Sequence, residues 1–145
     1  MKKKRLLLTG ALALAMLVSF LLAGCSDYDY SAIAGDYQDR VSQRASLTIK
    51  GNDAGDAAVI TVYWSSSNEM TTRWDMTGTM EENTLSYSDC KCTETLYDEE
   101  GNVTEEKTVY TDGEGYFRLT DDGVLKWTGA SDEDCRSAEF VMISD

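Results

Sequence analysis

Apolar and polar residues alternate with a period of two along this chain, most clearly from Met70 to Glu81. Such alternation predicts a β-strand with one buried face and one face in water. The same period recurs over residues 45–50, and no stretch after residue 25 shows the period of a helix. An all-β domain is therefore the predicted class.

Short predicted strands continue to the end of the chain. They cover residues 57–64, 84–90, 103–111, 115–120, 124–128 and 138–143, and a first strand opens at Gly35. Gly, Asn and Asp, which accept the positive φ of tight hairpins, fill the turns between them, including one at residues 112–115. Because the chain has no Pro to protect an open edge, we predict an antiparallel up-and-down barrel of about eight strands, closed or nearly closed. A two-sheet sandwich is the alternative.

The first 24 residues have the composition of an export signal. Residues 2–5 are all basic, and residues 6–23 carry no charge. The run ends in Leu22-Ala23-Gly24-Cys25, which resembles the lipobox of bacterial lipoproteins. This resemblance implies cleavage between Gly24 and Cys25 and attachment of a diacylglyceryl group to the Cys25 thiol. Two acyl chains give a stable membrane anchor, whereas one chain binds only marginally.

These features divide the chain into a lipoprotein signal peptide at residues 1–24, a lipidated tether at residues 25–32 and a single barrel domain at residues 33–145. An uncleaved signal anchor and an ordinary secretory peptide with a chance Cys are the alternatives. The expected location is the extracytoplasmic face of the bacterial cell membrane, where the lipid on Cys25 is the anchor.

The mature chain is strongly acidic. The precursor has 13 basic and 26 acidic residues, and loss of the four basic residues of the signal leaves 9 − 26 = −17. Nucleic acid is excluded as a partner, because its phosphates would meet like charge. A basic protein or peptide is the class of partner that this charge attracts.

Three cysteines follow Cys25, which is an odd number for an exported protein. Cys90 and Cys92 are two residues apart, so they lie on one face of a strand at a separation that suits a disulfide poorly. We expect Cys135 to pair with either Cys90 or Cys92. The chain has no His, so a three-thiolate metal site is the weaker alternative, and no metal or other cofactor is expected.

The sequence contains no His, no nucleophile elbow and no Gly-rich phosphate loop, so we expect no catalytic residues and no enzyme activity. The acidic segments 98–102 and 112–114 lack the spacing of an EF-hand and are interpreted as solvated loops. Trp74 with Met70, Met76 and Met80 could line an apolar cavity or fill the core. Because a small barrel needs such residues to fill its core, the second interpretation is favoured.

Segments 35–45, 74–79 and 85–90 are similar to small uncharacterised lipoproteins of Gram-positive bacteria, and Gly35-Asp36-Tyr37 resembles the first strand of lipocalin-like barrels. The resemblance implies an extracytoplasmic location and no particular activity. We expect a non-catalytic binding module for a protein, peptide or small ligand. A carrier of apolar ligands is one alternative. The other is an envelope-protecting enzyme inhibitor, similar in architecture to membrane-bound lysozyme inhibitors, whose candidate contacts are Arg73, Lys91, Lys107, Arg118 and Lys126.

Overall fold

The computed structural model describes residues 28–129 and 138–144. Its eight strands form one antiparallel meander: β1 (Gly35–Asp39), β2 (Ala45–Gly51), β3 (Ala58–Ser67), β4 (Met70–Glu81), β5 (Thr84–Tyr97), β6 (Val103–Leu119), β7 (Leu125–Thr128) and β8 (Glu139–Ser144). Each strand pairs with its neighbours along the chain, and β1 also pairs with β8, so the hydrogen bonds close a ring. The ring is not evenly barrel-shaped. The predicted all-β, up-and-down fold is confirmed.

Two predicted boundaries in the β5–β6 hairpin are wrong. The sequence predicts that the fifth strand ends at Cys90, but β5 continues to Tyr97. It also predicts a turn at residues 112–115, but β6 runs unbroken from Val103 to Leu119. The glycines of the predicted turn serve close packing instead. A Cβ on Gly115 would lie 2.4 Å from the Thr128 carbonyl oxygen, and glycine inside a strand marks such an approach.

Side chains from all eight strands meet inside the ring. The rings of Phe117 and Trp127 stack with centroids 5.5 Å apart, and Trp74 meets Trp127 edge to face at 5.2 Å. The polar atoms of these side chains are paired as well. Trp127 Nε1 donates to the Tyr87 hydroxyl at 2.8 Å, and Trp74 Nε1 donates to the Tyr110 hydroxyl at 2.9 Å. Burial of the indoles therefore leaves neither N–H group without an acceptor.

A 3₁₀ helix, Tyr30–Ala32, covers one end of the ring. Tyr30 is only 6% exposed, and its hydroxyl accepts a hydrogen bond from the Met80 backbone N–H at 3.0 Å. Its Cβ also lies close to Gly51, near the end of β2. Tyr30 belongs to the segment that the sequence predicts as a tether. The chain is thus already packed on the ring from this residue onward.

The ring closes between β1 and β8, and a buried carboxylate lies at the junction. Asp39 is fully buried and accepts hydrogen bonds from the backbone N–H groups of Ser42 at 2.7 Å, Glu139 at 2.9 Å and Val41 at 3.3 Å. The Ser42 hydroxyl donates a fourth bond at 2.5 Å. Next to it, Arg40 Nε donates to the Glu139 carboxylate at 2.7 Å. One side chain therefore joins the end of β1, the following turn and the start of β8.

The hydrogen bonds of Asp39 also determine the direction in which its pKa is shifted. Burial acts to raise the pKa of this carboxyl group, but the bonds from Ser42, Glu139 and Val41 outweigh burial and lower the pKa below its ordinary value of 3.8. The unfolded chain therefore takes up this proton more readily than the folded chain. The resulting stability is present above the ordinary pKa and is lost as the pH falls through the lowered one.

Replacing Asp39 by Asn should lower the free energy of unfolding by about 2–3 kcal/mol at neutral pH, because charge-assisted bonds to a buried group are lost. Urea unfolding followed by Trp fluorescence measures this change. The deficit should shrink as the pH falls from about 4 to about 2, where the native carboxylate itself becomes protonated. Asp53→Asn, an exposed position in the β2–β3 turn, is the control and should stay within about 0.5 kcal/mol of the unchanged protein. An Asp39→Asn deficit that is equal at both ends of this range would contradict the assignment.

Gly115→Ala should lower the free energy of unfolding by about 2–3 kcal/mol, because the added methyl group meets the Thr128 carbonyl oxygen and, at 2.6 Å, the Tyr87 hydroxyl. Gly51→Ala is the matched strand control, since its nearest neighbour would be Tyr30 Cβ at 3.7 Å. That variant should change stability by less than about 1 kcal/mol. Thermal unfolding of both variants compares them, and equal losses would show that Gly115 is not required for close packing.

Candidate functional site

The distal part of the β5–β6 hairpin, residues 93–109, extends past the ring and is called the arm here. β7 pairs only with residues 116–119 of β6, so β6 continues well beyond it. On the other side the arm is supported by β4, whose residues 70–73 pair with residues 93–96. Every residue from 99 to 109 is exposed. From residue 99 onward the arm is thus exposed to water on both faces, whereas Thr93 at its base is buried. Within the described ranges, the β6 edge of the arm has no neighbouring strand.

Acidic charge is concentrated on the arm. Its 17 residues hold one basic side chain, Lys107, and six acidic ones, a net charge of 1 − 6 = −5: Glu94, Asp98, Glu99, Glu100, Glu105 and Glu106. At the hairpin loop the Asp98 carboxylate accepts hydrogen bonds from the Asn102 side chain at 3.0 Å and from its backbone N–H at 2.7 Å. These bonds lower the pKa of Asp98. The acidic loop at 98–102 is therefore an ordered turn in which one carboxylate is already engaged.

The arm lies at the opposite end of the ring from the 3₁₀ helix. Tyr30 bonds to Met80, which pairs with Leu85 at the start of β5. From Leu85, β5 crosses the ring and reaches Leu96 in the arm eleven residues later. At about 3.3 Å per residue this path is roughly 35 Å long. The loop at 98–102 is consequently remote from the point where the N-terminal segment meets the ring.

A depression of about 530 Å³ lies on the outside of β3–β5, where β5 bulges, and its walls are Val59, Ile60, Asp75, Met76, Thr77, Ser88 and Asp89. Asp89 has a φ of 54°, which an L-residue rarely adopts. Arg73 donates to the Asp75 carboxylate at 2.7 and 2.9 Å, and Lys91 lies opposite Asp75 in the register. The depression thus has two carboxylates in its walls, those of Asp75 and Asp89, and two cations beside it, those of Arg73 and Lys91. The depression lacks the single sign of charge that selects an ionic ligand.

The basic residues proposed for an inhibitor are dispersed over the molecule. Arg118 and Lys126 are cross-strand neighbours on β6 and β7, and Lys126 Nζ lies 3.6 Å from the Glu139 carboxylate. Arg73 and Lys91 flank the depression, and Lys107 is on the arm. The structure therefore brings together two separate pairs from this set, Arg118 with Lys126 and Arg73 with Lys91, and Arg73 is engaged by Asp75.

Cys90 and Cys92 both lie in β5 and both are buried, which confirms the prediction that they share a face of one strand. Cys135, Gly24 and Cys25 lie outside the described residues. The disulfide from Cys135 to Cys90 or Cys92, the cleavage after Gly24 and the lipid on Cys25 therefore stay predictions. Burial, with smaller contributions from nearby groups, raises the pKa of the Cys90 thiol to about 12.

Three of the four residues considered for an apolar cavity belong to the core. Trp74, Met76 and Met80 are buried, and Met70 at the start of β4 is half-buried. Trp74 is also held in place by its bond to Tyr110. The prediction that such residues are core is confirmed for Trp74, Met76 and Met80, whereas Met70 lies outside the buried core.

Neither the arm nor the role of Asp39 was predicted from the sequence. Thr93, Thr95 and Tyr97 alternate along the missed part of β5, and such β-forming side chains were the available signal for a longer strand. Asp39 gives no comparable signal, because its partner Glu139 is 100 residues away and one Asp among many has no distinctive spacing.

The Cys90 thiol should resist alkylation in the folded protein, since with a pKa near 12 about one thiol in 10,000 is ionised at pH 8. Iodoacetamide treatment before and after unfolding, with peptide mass spectrometry, measures this. Repeating the unfolded reaction without reductant tests the pairing, because a Cys90 in a disulfide with Cys135 would stay unlabelled until reduced. Rapid labelling of Cys90 in the native state would contradict the burial.

Within residues 28–129 and 138–144, no helix is long and apolar enough to cross a membrane. In the same ranges, no group of three or more His, Cys, Asp or Glu side chains is placed to hold a metal ion. No protein-family model matches the chain, no curated protein is significantly similar to it, and no solved structure gives a significant match.

Proposed function

We propose that this protein is a lipid-anchored extracytoplasmic lipoprotein that acts as a non-catalytic binding module for a basic protein or peptide. The observation that carries the binding proposal is the arm, with a net charge of −5 on 17 residues that extend past the ring. The proposal of the anchor rests on Leu22-Ala23-Gly24-Cys25 and on the charge-free run before it.

The packed interior supports binding on the outer surface. Aromatic side chains from β4, β6, β7 and β8 occupy the centre of the ring, and their polar atoms are engaged with one another. A carrier of apolar ligands needs an empty interior, so this arrangement does not favour it. An exposed acidic segment, by contrast, raises the local concentration of cationic partners and speeds their association.

The placement of the arm fits a membrane-anchored receptor. Only residues 26–29 separate Cys25 from the buried Tyr30, a span of at most about 18 Å when fully extended. An anchor on Cys25 therefore holds the 3₁₀ end of the ring close to the membrane. The arm, at the other end, is directed toward partners in the space outside it.

Native affinity capture from the envelope of the source organism tests the proposal. The lipidated protein and a Cys25→Ser form are used as baits, and retained molecules are identified by mass spectrometry. We expect the Cys25→Ser form to leave the membrane fraction and both forms to retain the same basic protein or peptide. Retention of lipid alone by the unanchored form would overturn the binding module and point to a carrier.

Neutralising the arm should weaken that binding about tenfold at low ionic strength, because each exposed charge contributes a fraction of a kcal/mol. The variant is Glu94→Gln with Glu99→Gln and Glu100→Gln. A matched control removes three charges at the 3₁₀ end of the ring: Asp53→Asn, Glu82→Gln and Asp121→Asn. Isothermal titration with the captured partner measures both variants. Equal losses would show that total charge, and not the arm, attracts the partner.

An inhibitor of an acidic envelope-degrading enzyme is the second candidate, and the outward pair of Arg118 and Lys126 is the observation that favours it. Such inhibitors place basic groups in an acidic active site. Arg118→Ala with Lys126→Ala should then abolish protection of cells against lysozyme, whereas Arg73→Ala, whose side chain is held by Asp75, should preserve it. Undiminished protection in the double variant would exclude this pair as the inhibitory contact.

A further inference from the structure

The exposed edge of the arm has a nearly self-complementary sequence. Residues 103–109 read Val-Thr-Glu-Glu-Lys-Thr-Val, with Glu106 at the centre. Antiparallel pairing of two copies about Glu106 sets like residues against like and acid against base: Val103 opposite Val109, Thr104 opposite Thr108, and Glu105 opposite Lys107.

The fold leaves this segment available for pairing. On one side Glu105 pairs with Leu96 and Lys107 with Glu94, both in β5. On the other side no described strand is bonded to residues 103–109, and all seven residues are exposed. In an antiparallel strand, alternate residues direct their N–H and C=O groups away from the existing partner. An edge of this kind is a template for a further strand.

We propose that the occupant of this edge is a second copy of the same chain, joined in a two-fold symmetric pair with Glu106 on the axis. In a symmetric interface each contact occurs twice, so Lys107 of each copy faces Glu105 of the other. Lys107 is the only basic residue of the arm, and this register places it against an acid of the partner. Directly opposite residues of opposite charge stabilise an antiparallel pair, and like charges destabilise it.

Two features keep the pair weak. Thr104 and Val109 have no partner in the β5–β6 register, so they are bulged. Because Thr108 lies opposite Thr104 of the other copy, regular pairing between the copies is confined to residues 105–107. Glu106 also meets its own counterpart on the axis. Because the paired strands are antiparallel, the 3₁₀ ends of the two copies point in opposite directions, so the pair forms between copies that are free in solution or anchored on facing membranes. The proposal does not depend on the basic partner suggested above.

Disulfide cross-linking of the full lipidated chain, solubilised in detergent at high concentration so that the copies can reorient, tests the proposed axis. Directly opposite residues have Cβ atoms about 4.5–5.5 Å apart, close enough for a disulfide after small adjustment. Glu106→Cys should therefore give a covalent dimer under mild oxidation. The unchanged protein measures the background from the native cysteines. Glu100→Cys, in the exposed hairpin loop, measures chance collision and should give at least about tenfold less dimer.

Charge reversal tests the register within the Glu106→Cys background. Glu105→Lys sets two lysines opposite each other, and Lys107→Glu sets two acids opposite each other, so each should reduce the dimer yield about tenfold. The double variant exchanges the charges, keeps the net charge and should restore the yield to within about twofold. Trp fluorescence of each variant confirms that the aromatic core is intact.

The remaining outcomes overturn the proposal. Equal cross-linking of Glu106→Cys and Glu100→Cys would mean collision only, and a double variant as poor as the single ones would exclude this register. Cross-linking of Glu106→Cys to a different, basic protein would assign the edge to that partner. Slow hydrogen exchange at residues 105–107 without any dimer would mean that another part of the chain covers the edge.

Discussion

The bond network at Asp39 holds the first and last strands of the sheet together, and the ring exists only while they are joined. The strands that meet there are short, with five residues in β1 and six in β8, and they share four residue pairs. Asp39 adds a carboxylate that accepts four hydrogen bonds, three from the turn after β1 and one from Glu139 at the start of β8. Phe140 and Tyr37, which line the interior from either side of the junction, depend on that closure.

Unequal strand lengths connect this closure to the arm. β7 has only four residues and so pairs with only a short part of the 17-residue β6. The remaining part of β6, together with the part of β5 that pairs with it, is surplus to the ring and extends past it. The surplus of β6 is exposed on both faces from Val103 to Val109, and its sequence changes accordingly, from apolar alternation near Phe117 to the charged and hydroxyl-rich run at residues 104–108. The acidic surface and the free edge are thus two results of one mismatch in length.

The fold class followed from the sequence because burial in a strand has a local pattern, and β4 was predicted with its observed limits, Met70–Glu81. The β5–β6 hairpin was predicted less well, because Gly113 and Gly115 look like turn residues when only their neighbours in sequence are considered. Their role depends on Thr128, Tyr87 and Cys90, which the fold brings close from other strands. The site is likewise non-local: the charges of the arm were visible in the sequence, but their separation from the ring depends on where β7 ends.

The closing contact also imposes an order on the folding of the chain. Asp39 and Glu139 are 100 residues apart, so a chain that emerges with its N-terminus first holds β1 without its final partner until almost all of it has been delivered. Hairpins whose strands adjoin in sequence, such as β3–β4 and β4–β5, have no such delay. The long middle strands can therefore pair before the ring closes, whereas the β1–β8 junction cannot form until the last strand is available. A chain that loses only its last few residues would accordingly be an unclosed sheet, with the unpaired edge of β1 exposed to its neighbours.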